Sequence, residues 1–235
     1  MQAVILAAGF GSRLGAVTQG KPKSFLEINN EALIDRAIRL LNERGITDIH
    51  VVTGFKSDLM YEKLNGLVTL HINPLYFCTN VLASFSVAMP ALSDSFIFLH
   101  ADTIFEDAIL DSLIAADGDI VLPVDFKNVQ EEEMKVCVDK NGKILQISKE
   151  IELSSADGEF MGLAKISQSV LSKLNVAVLD ELKQKKHLQA YFESAIQNLI
   201  NNGLNVSSID ISNKKWIEID FEDDYEQAVT IFSKA

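Results

Sequence analysis

The sequence predicts an α/β fold, a mainly parallel central sheet flanked by helices, with a small antiparallel ribbon added to it. Three observations carry that expectation. Apolar runs of strand length alternate with stretches whose apolar residues recur at helical spacing, the pattern of a sheet covered on both faces. After Pro123 the rhythm changes. There, Asn141-Gly142 separates two short apolar segments, a strong signal for a hairpin turn.

In chain order, residues 4–8 read as a first buried strand that runs into a glycine-rich turn. Leu33, Ile34, Ala37, Leu40 and Leu41 make a helical stripe that Gly45 stops. Residues 49–53 and 67–72 read as strands, and 57–64 between them as a short helix with Ser57 as its cap. Residues 80–89 read as a helix that must end near Pro90. A strand at 96–99, a helix at 104–115 and a buried strand at 120–124 follow. Residues 134–138 and 144–147 form the predicted ribbon, and 160–166 one more strand. Leu188, Tyr191, Phe192, Ala195, Ile196, Leu199 and Ile200 share a helical stripe ended by Gly203. Short strands at 206–211 and 216–219 precede a last helix bearing Ala228, Val229 and Phe232. With no internal repeat or linker, residues 1–235 are expected to form a single domain.

A hydrophobic content of 48% and a charged content of 23% belong to a chain that can bury a core. No apolar run approaches the roughly 20 residues that span a bilayer, no signal peptide is expected, and a cytoplasmic location is the default. A net charge of -12 argues against sequence-independent nucleic-acid binding, which rests on Lys and Arg. Cys78 and Cys137 make neither a metal motif nor a disulfide framework, and His50, His71, His100 and His187 lack metal-ligand spacing and read as structural or surface residues. Oligomeric state stays open, a homodimer included.

The opening stretch, VILAAGFGSRLG over residues 4–15, delivers Ser12 and Arg13 from a turn without bulky side chains, and Lys21, Pro22 and Lys23 follow. Backbone N–H groups and cations in that order suit a polyphosphate. Two common glycine loops are excluded. Leu14 replaces the third glycine of a dinucleotide fingerprint, and Thr53-Gly54 stands where its ribose-binding acid belongs. The run from Gly15 to Lys21 matches a Walker A loop until Pro22 takes the place of its Ser or Thr, and a proline there also disfavours the helix that loop must feed.

What remains, L-A-A-G-x-G-S-R-L followed by K-P-K, resembles the nucleotidyltransferases that join a nucleoside triphosphate to a phosphorylated acceptor and release pyrophosphate. Within them the chain is most similar to the small cytidylyltransferases of the phosphocholine and 2-aminoethylphosphonate type. The likeness extends through T-G-F at 53–55, N-P-x-Y-x-x-T-N at 73–80, H-A-D-T at 100–103 and E-I-D at 218–220. It implies a Rossmann-like nucleotidyltransferase fold, CTP and a small phosphate or phosphonate acceptor as partners, no nucleic acid or membrane, and Mg2+ as cofactor. It also implies a mainly nucleotide-binding half over 1–125 and a mainly acceptor-binding half over 126–235. A sugar-1-phosphate nucleotidyltransferase and a non-catalytic nucleotide sensor are the alternatives.

The resemblance places the base and ribose on the backbone of Leu6, Ala7, Ala8 and Gly9, and the β and γ phosphates on Gly11, Ser12 and Arg13. Lys23 is the cation assigned to the α phosphate, so Arg13 and Lys23 are the candidate catalytic residues. Lys21 reads as a surface charge. Asp102 and Asp220 each follow a strand-like run, at the sheet edge where α/β folds bind ligands. Two such carboxylates can share one magnesium, and the resemblance says that they do. Glu222, Asp223 and Asp224 read instead as acids favoured at a helix N-terminus. Base recognition falls to Gly54, Thr79, Asn80 and Ser84, with Asn80 equally readable as a helix cap. Cytosine preference rests on the resemblance. For the acceptor, Lys149 is assigned to the phosphate or phosphonate and Glu159 and Glu193 to a cationic amine. A solvated helix face explains Glu193 equally well.

Overall fold

The computed structural model describes residues 1–183 and 188–233, so His187 lies outside the described residues. Its first strand, β1 (Gln2–Ala7), is buried throughout and leads into a 3-10 segment at Ser12–Thr18. A minimal ribbon, β2 (Glu27–Ile28) with β3 (Glu31–Ala32), precedes α1 (Leu33–Glu43). Next come β4 (Asp48–Thr53), α2 (Ser57–Leu64), β5 (Thr69–Ile72) and α3 (Val81–Ala88). These are followed by β6 (Phe96–His100), β7 (Thr103–Phe105), α4 (Asp107–Ala115) and β8 (Ile120–Asp125). The second half contributes β9 (Lys135–Val138), β10 (Ile144–Ser148), β11 (Gly158–Phe160), β12 (Leu163–Ile166), α5 (Leu171–Leu182), α6 (Phe192–Asn201), β13 (Val206–Asp210), β14 (Trp216–Glu218) and α7 (Glu222–Phe232).

The main sheet runs β10-β9-β11-β8-β12-β6-β1-β4-β5, with β13 on the other side of β8. Pairs around β1 and β4, and the β8–β13 pair, are parallel. The join is antiparallel, since β12 pairs against both β6 and β8. One core lies under α3, α5 and α6 and the other under α1, α2 and α4, so both faces are covered, as parallel strands require. Phe192 of α6 stacks on Phe98 of β6 with ring centroids 4.0 Å apart, anchoring the second half onto the first.

Several expected boundaries move. The helix expected at 104–115 begins only at Asp107, because residues 103–105 form β7 and pair with β14 in a separate two-stranded sheet. The strand expected over 160–166 breaks into β11 and β12 at Gly162, whose φ of 83° no extended strand permits. Ser57 is the first helical residue of α2 rather than its cap; Lys56, in left-handed geometry, holds that place. Leu188 and Tyr191 fall before α6 and are exposed.

Candidate active site

The carboxyl ends of β1 and β6 open into one cavity of about 460 Å³. Its first wall is the glycine loop. Gly11 sits at φ 64° and ψ 35°, and a Cβ there would meet the Lys23 Cβ at 3.1 Å. Only glycine therefore serves both the turn and the close approach of Lys23.

Lys23 reaches across the cavity floor. Its Nζ donates to Asp102 Oδ2 at 2.8 Å and to Asp220 Oδ1 at 2.6 Å. Burial alone would lower the Lys23 ammonium, but the charges of Asp102 and Asp220 outweigh it and hold the group above the usual lysine range. Burial likewise opposes ionisation of Asp102, and Lys23 overcomes it, keeping the carboxyl below its usual range. Two residues distant by 118 positions meet because the chain after β14 is tied to the end of β6: the Ile219 N–H donates to the Asp102 carbonyl at 3.0 Å. Asp224 completes the tie, accepting from the N–H groups of Asp220 and Phe221 at 2.9 and 2.7 Å. Arg13 stands at the rim, 3.6 Å from Asp220 Oδ2 and over the Phe221 ring.

Glu218 faces Thr103 across the β7–β14 pair and so joins the two aspartates. Glu218 keeps an exposed face to the cavity, yet the partial loss of solvent around its carboxyl, and then the charges of Asp102 and Asp220, push it up to about 8. The donor set fits a hard divalent cation such as Mg2+. Carboxylates converge, and the Asp102 Oδ1 atom is buried with no hydrogen-bond partner while Lys23 covers Oδ2.

Further along the cavity, Ser84 Oγ accepts from Asn73 Nδ2 at 3.0 Å, which leaves the hydroxyl hydrogen free to donate. Asn73 also donates to Thr79 Oγ1 at 3.1 Å. Asn80 caps α3, its Oδ1 accepting from the Val81 N–H at 2.9 Å, and it still lines the cavity. At the far end, the Lys149 ammonium lies over the Tyr191 ring at 5.2 Å. Glu193, in the first turn of α6, is 3% exposed and its Oε2 has no partner; burial raises its carboxyl.

A MobA-like NTP transferase domain matches residues 3–195. The chain belongs to that family. This nucleotidyltransferase is 31% identical to the CTP:phosphoglutamine cytidylyltransferase of Campylobacter jejuni, over 96% of this chain and 98% of that one. It is 30% identical to the choline-phosphate cytidylyltransferase of Streptococcus pneumoniae over 69% of this chain and 80% of that one. With the 2-aminoethylphosphonate cytidylyltransferase of Lancefieldella rimae it shares 26% identity, over 84% and 80%. Among solved structures, the CTP:phosphocholine cytidylyltransferase from Streptococcus pneumoniae superposes with a TM-score of 0.82 at 21% identity, covering 99% of each chain. The inositol-1-phosphate CTP transferase from T. maritima gives 0.79 at 24%, covering 100% of this chain and 97% of that one. These two establish the fold.

Most residues picked from the sequence of this nucleotidyltransferase share the cavity: Leu6, Ala8, Gly9, Gly11, Ser12, Arg13, Lys23, Thr79, Asn80, Ser84, Asp102, Lys149, Glu193 and Asp220 all line it. Lys21 is exposed and away from it. Three picks are not brought there. Ala7 is buried in the core beneath the loop. Gly54 does not line the cavity and makes room for Tyr76, since a Cβ on it would lie 2.5 Å from the Tyr76 Cβ. Glu159 turns away to an ion pair with Lys127 at 2.7 Å, and burial pushes it up to about 7 despite that pull. Glu193 is no solvated helix face. His100, read as structural or surface, lines the cavity instead. His100, Asn73 and Glu218 carried no role in the sequence reading, although His100 two residues before Asp102 on a strand end places both on one face.

Proposed function

We propose that this nucleotidyltransferase transfers the cytidylyl group of CTP to a small phosphate- or phosphonate-bearing acceptor that also carries an ammonium group, with release of pyrophosphate and dependence on Mg2+. The observation that carries the reading is the content of the one cavity. The glycine loop, the Lys23 bridge to Asp102 and Asp220, and the unpartnered Glu193 oxygen all open into it. The names of the relatives support CTP as donor, and phosphoglutamine, choline phosphate and 2-aminoethylphosphonate all combine a phosphorus oxyanion with a cationic nitrogen.

Asp102 and Asp220 would hold the magnesium, which when bound supplies positive charge to the triphosphate oxygens. Gly11, Ser12 and Arg13 bind the β and γ phosphates and stabilise the charge that develops on the leaving pyrophosphate. Lys23, displaced from its aspartates, serves the α phosphate. Leu6, Ala8 and Gly9 hold the nucleoside through their backbone, and the free Ser84 hydroxyl hydrogen addresses an acceptor atom on the pyrimidine edge. Lys149 binds the acceptor oxyanion and Glu193 its ammonium. An acceptor whose second ionisation falls near about pH 6 is already an anion, so no general base is needed. Catalysis is then positioning and charge neutralisation.

Pyrophosphate release measured for four NTPs against phosphocholine, 2-aminoethylphosphonate, phosphoglutamine and glucose 1-phosphate tests the proposal. CTP with an ammonium-bearing acceptor is expected to turn over fastest. Preference for glucose 1-phosphate would overturn the acceptor class, and silence with every pair would favour a nucleotide sensor. In Asp102→Asn, release with the best pair should fall by at least about a hundredfold with the fold intact by circular dichroism.

A further inference from the structure

We infer that the divalent cation held by Asp102 in this nucleotidyltransferase also takes a nitrogen ligand: His100 joins the carboxylates, with Glu218 beside them, in a mixed imidazole and carboxylate site that admits Mn2+ and its transition-metal neighbours as well as Mg2+. The inference rests on the preceding reading in needing a cation at Asp102.

His100 ends β6 and Asp102 follows two residues later, while Glu218 ends β14 opposite Thr103. One ligand atom from each of the three lies within 4.8 Å of the others. Lys23 sits on Asp102 Oδ2 and Asp220 Oδ1 until the nucleotide phosphates draw it away. The atoms left over are Asp102 Oδ1 and His100 Nε2. Both are buried and neither has a hydrogen-bond partner, so they do not satisfy each other and each awaits a third atom. The ring is held for that purpose. Its backbone N–H donates to the Gly162 carbonyl at 3.2 Å, its ring packs edge-on against Phe98, and Gly162 leaves no side chain to crowd it. A carboxylate-only site suits Mg2+, whereas an imidazole ligand shifts preference toward transition ions.

The test uses tag-free protein loaded with Mn2+ alone. Electron spin-echo envelope modulation of the wild type is expected to show 14N coupling from a bound imidazole. The coupling should vanish in His100→Gln and persist in His50→Gln and His71→Gln. By continuous-wave EPR titration, His100→Gln should bind Mn2+ at least about tenfold more weakly, while its Mg2+ affinity, measured by competition, changes less. Bound Mn2+ without 14N coupling in the wild type overturns the nitrogen ligand and leaves the cytidylyltransferase reading standing. Unchanged Mn2+ affinity in Asp102→Asn overturns the cation assignment in both.

Discussion

At the scale of single residues, the site is a set of charges that the fold has paired where it can. Glu193 is one it has not, with a buried carboxylate oxygen that meets no donor. Glu193→Gln keeps the shape and removes the charge. It should raise the KM for an ammonium-bearing acceptor about tenfold, the equivalent of roughly 1.4 kcal/mol, with the KM for CTP unchanged. Equal effects on both substrates would sink the acceptor role. The glycine loop and Lys23 were legible in the sequence because their chemistry is local: closely spaced glycines, a hydroxyl and cations announce a phosphate cradle without help from the fold. Glu218 and His100 were not. Each gains its meaning from a neighbour more than a hundred residues away or from a strand face, and neither belongs to a ligand spacing on its own. Glu159 failed for the opposite reason. As an acid just before an expected strand it looked available, but its side chain turns to Lys127.

At the scale of elements, turns decide what the strands deliver. Gly162 lets the chain leave β11 and re-enter the sheet as β12, at φ 83° and against the His100 ring. Gly162→Ala should lose about 2 kcal/mol or more of stability in chemical denaturation, from left-handed strain together with a Cβ placed 2.9 Å from the His100 Nδ1. Strands β4 and β5 carry a second device, the His50 and His71 pair, with Nδ1 and Nε2 2.9 Å apart. Burial lowers both pKa values, and His50 lowers that of His71 further. The unfolded chain therefore binds protons before the folded one, so this pair removes stability as pH falls from about 6.5 through the folded values, by at most about 1.4 kcal/mol per pH unit for each proton. Thermal melts from pH 7.5 to 5 should show a smaller acid-side loss in His50→Gln than in the wild type. The sequence predicted these strands from their apolar runs alone. It missed the split at Gly162 because a glycine inside an apolar run looks the same whether the strand continues or breaks.

At the scale of the molecule, the two halves are parts of one sheet. β12, from the second half, lies between β6 and β8 of the first, and β13 flanks β8 on its other side. A fragment comprising residues 1–125 should consequently fail to fold, showing no cooperative melt by circular dichroism and an expanded or aggregated profile on gel filtration. A compact, cooperative fragment would instead support two separable domains. The overall architecture was readable because a parallel sheet covered on both faces demands a recognisable order of apolar runs and stripes. The insertion of β12 was not, since pairing partners are set by tertiary packing and leave no mark in the spacing. The unbroken sheet beneath the cavity also denies this molecule a hinge. For its halves to swing apart, the β12 pairings to β6 and β8 would have to break. Enclosure of the substrates then falls to side chains and to the rim, where Phe10 stands exposed between two glycines with its ring edge-on to Phe55.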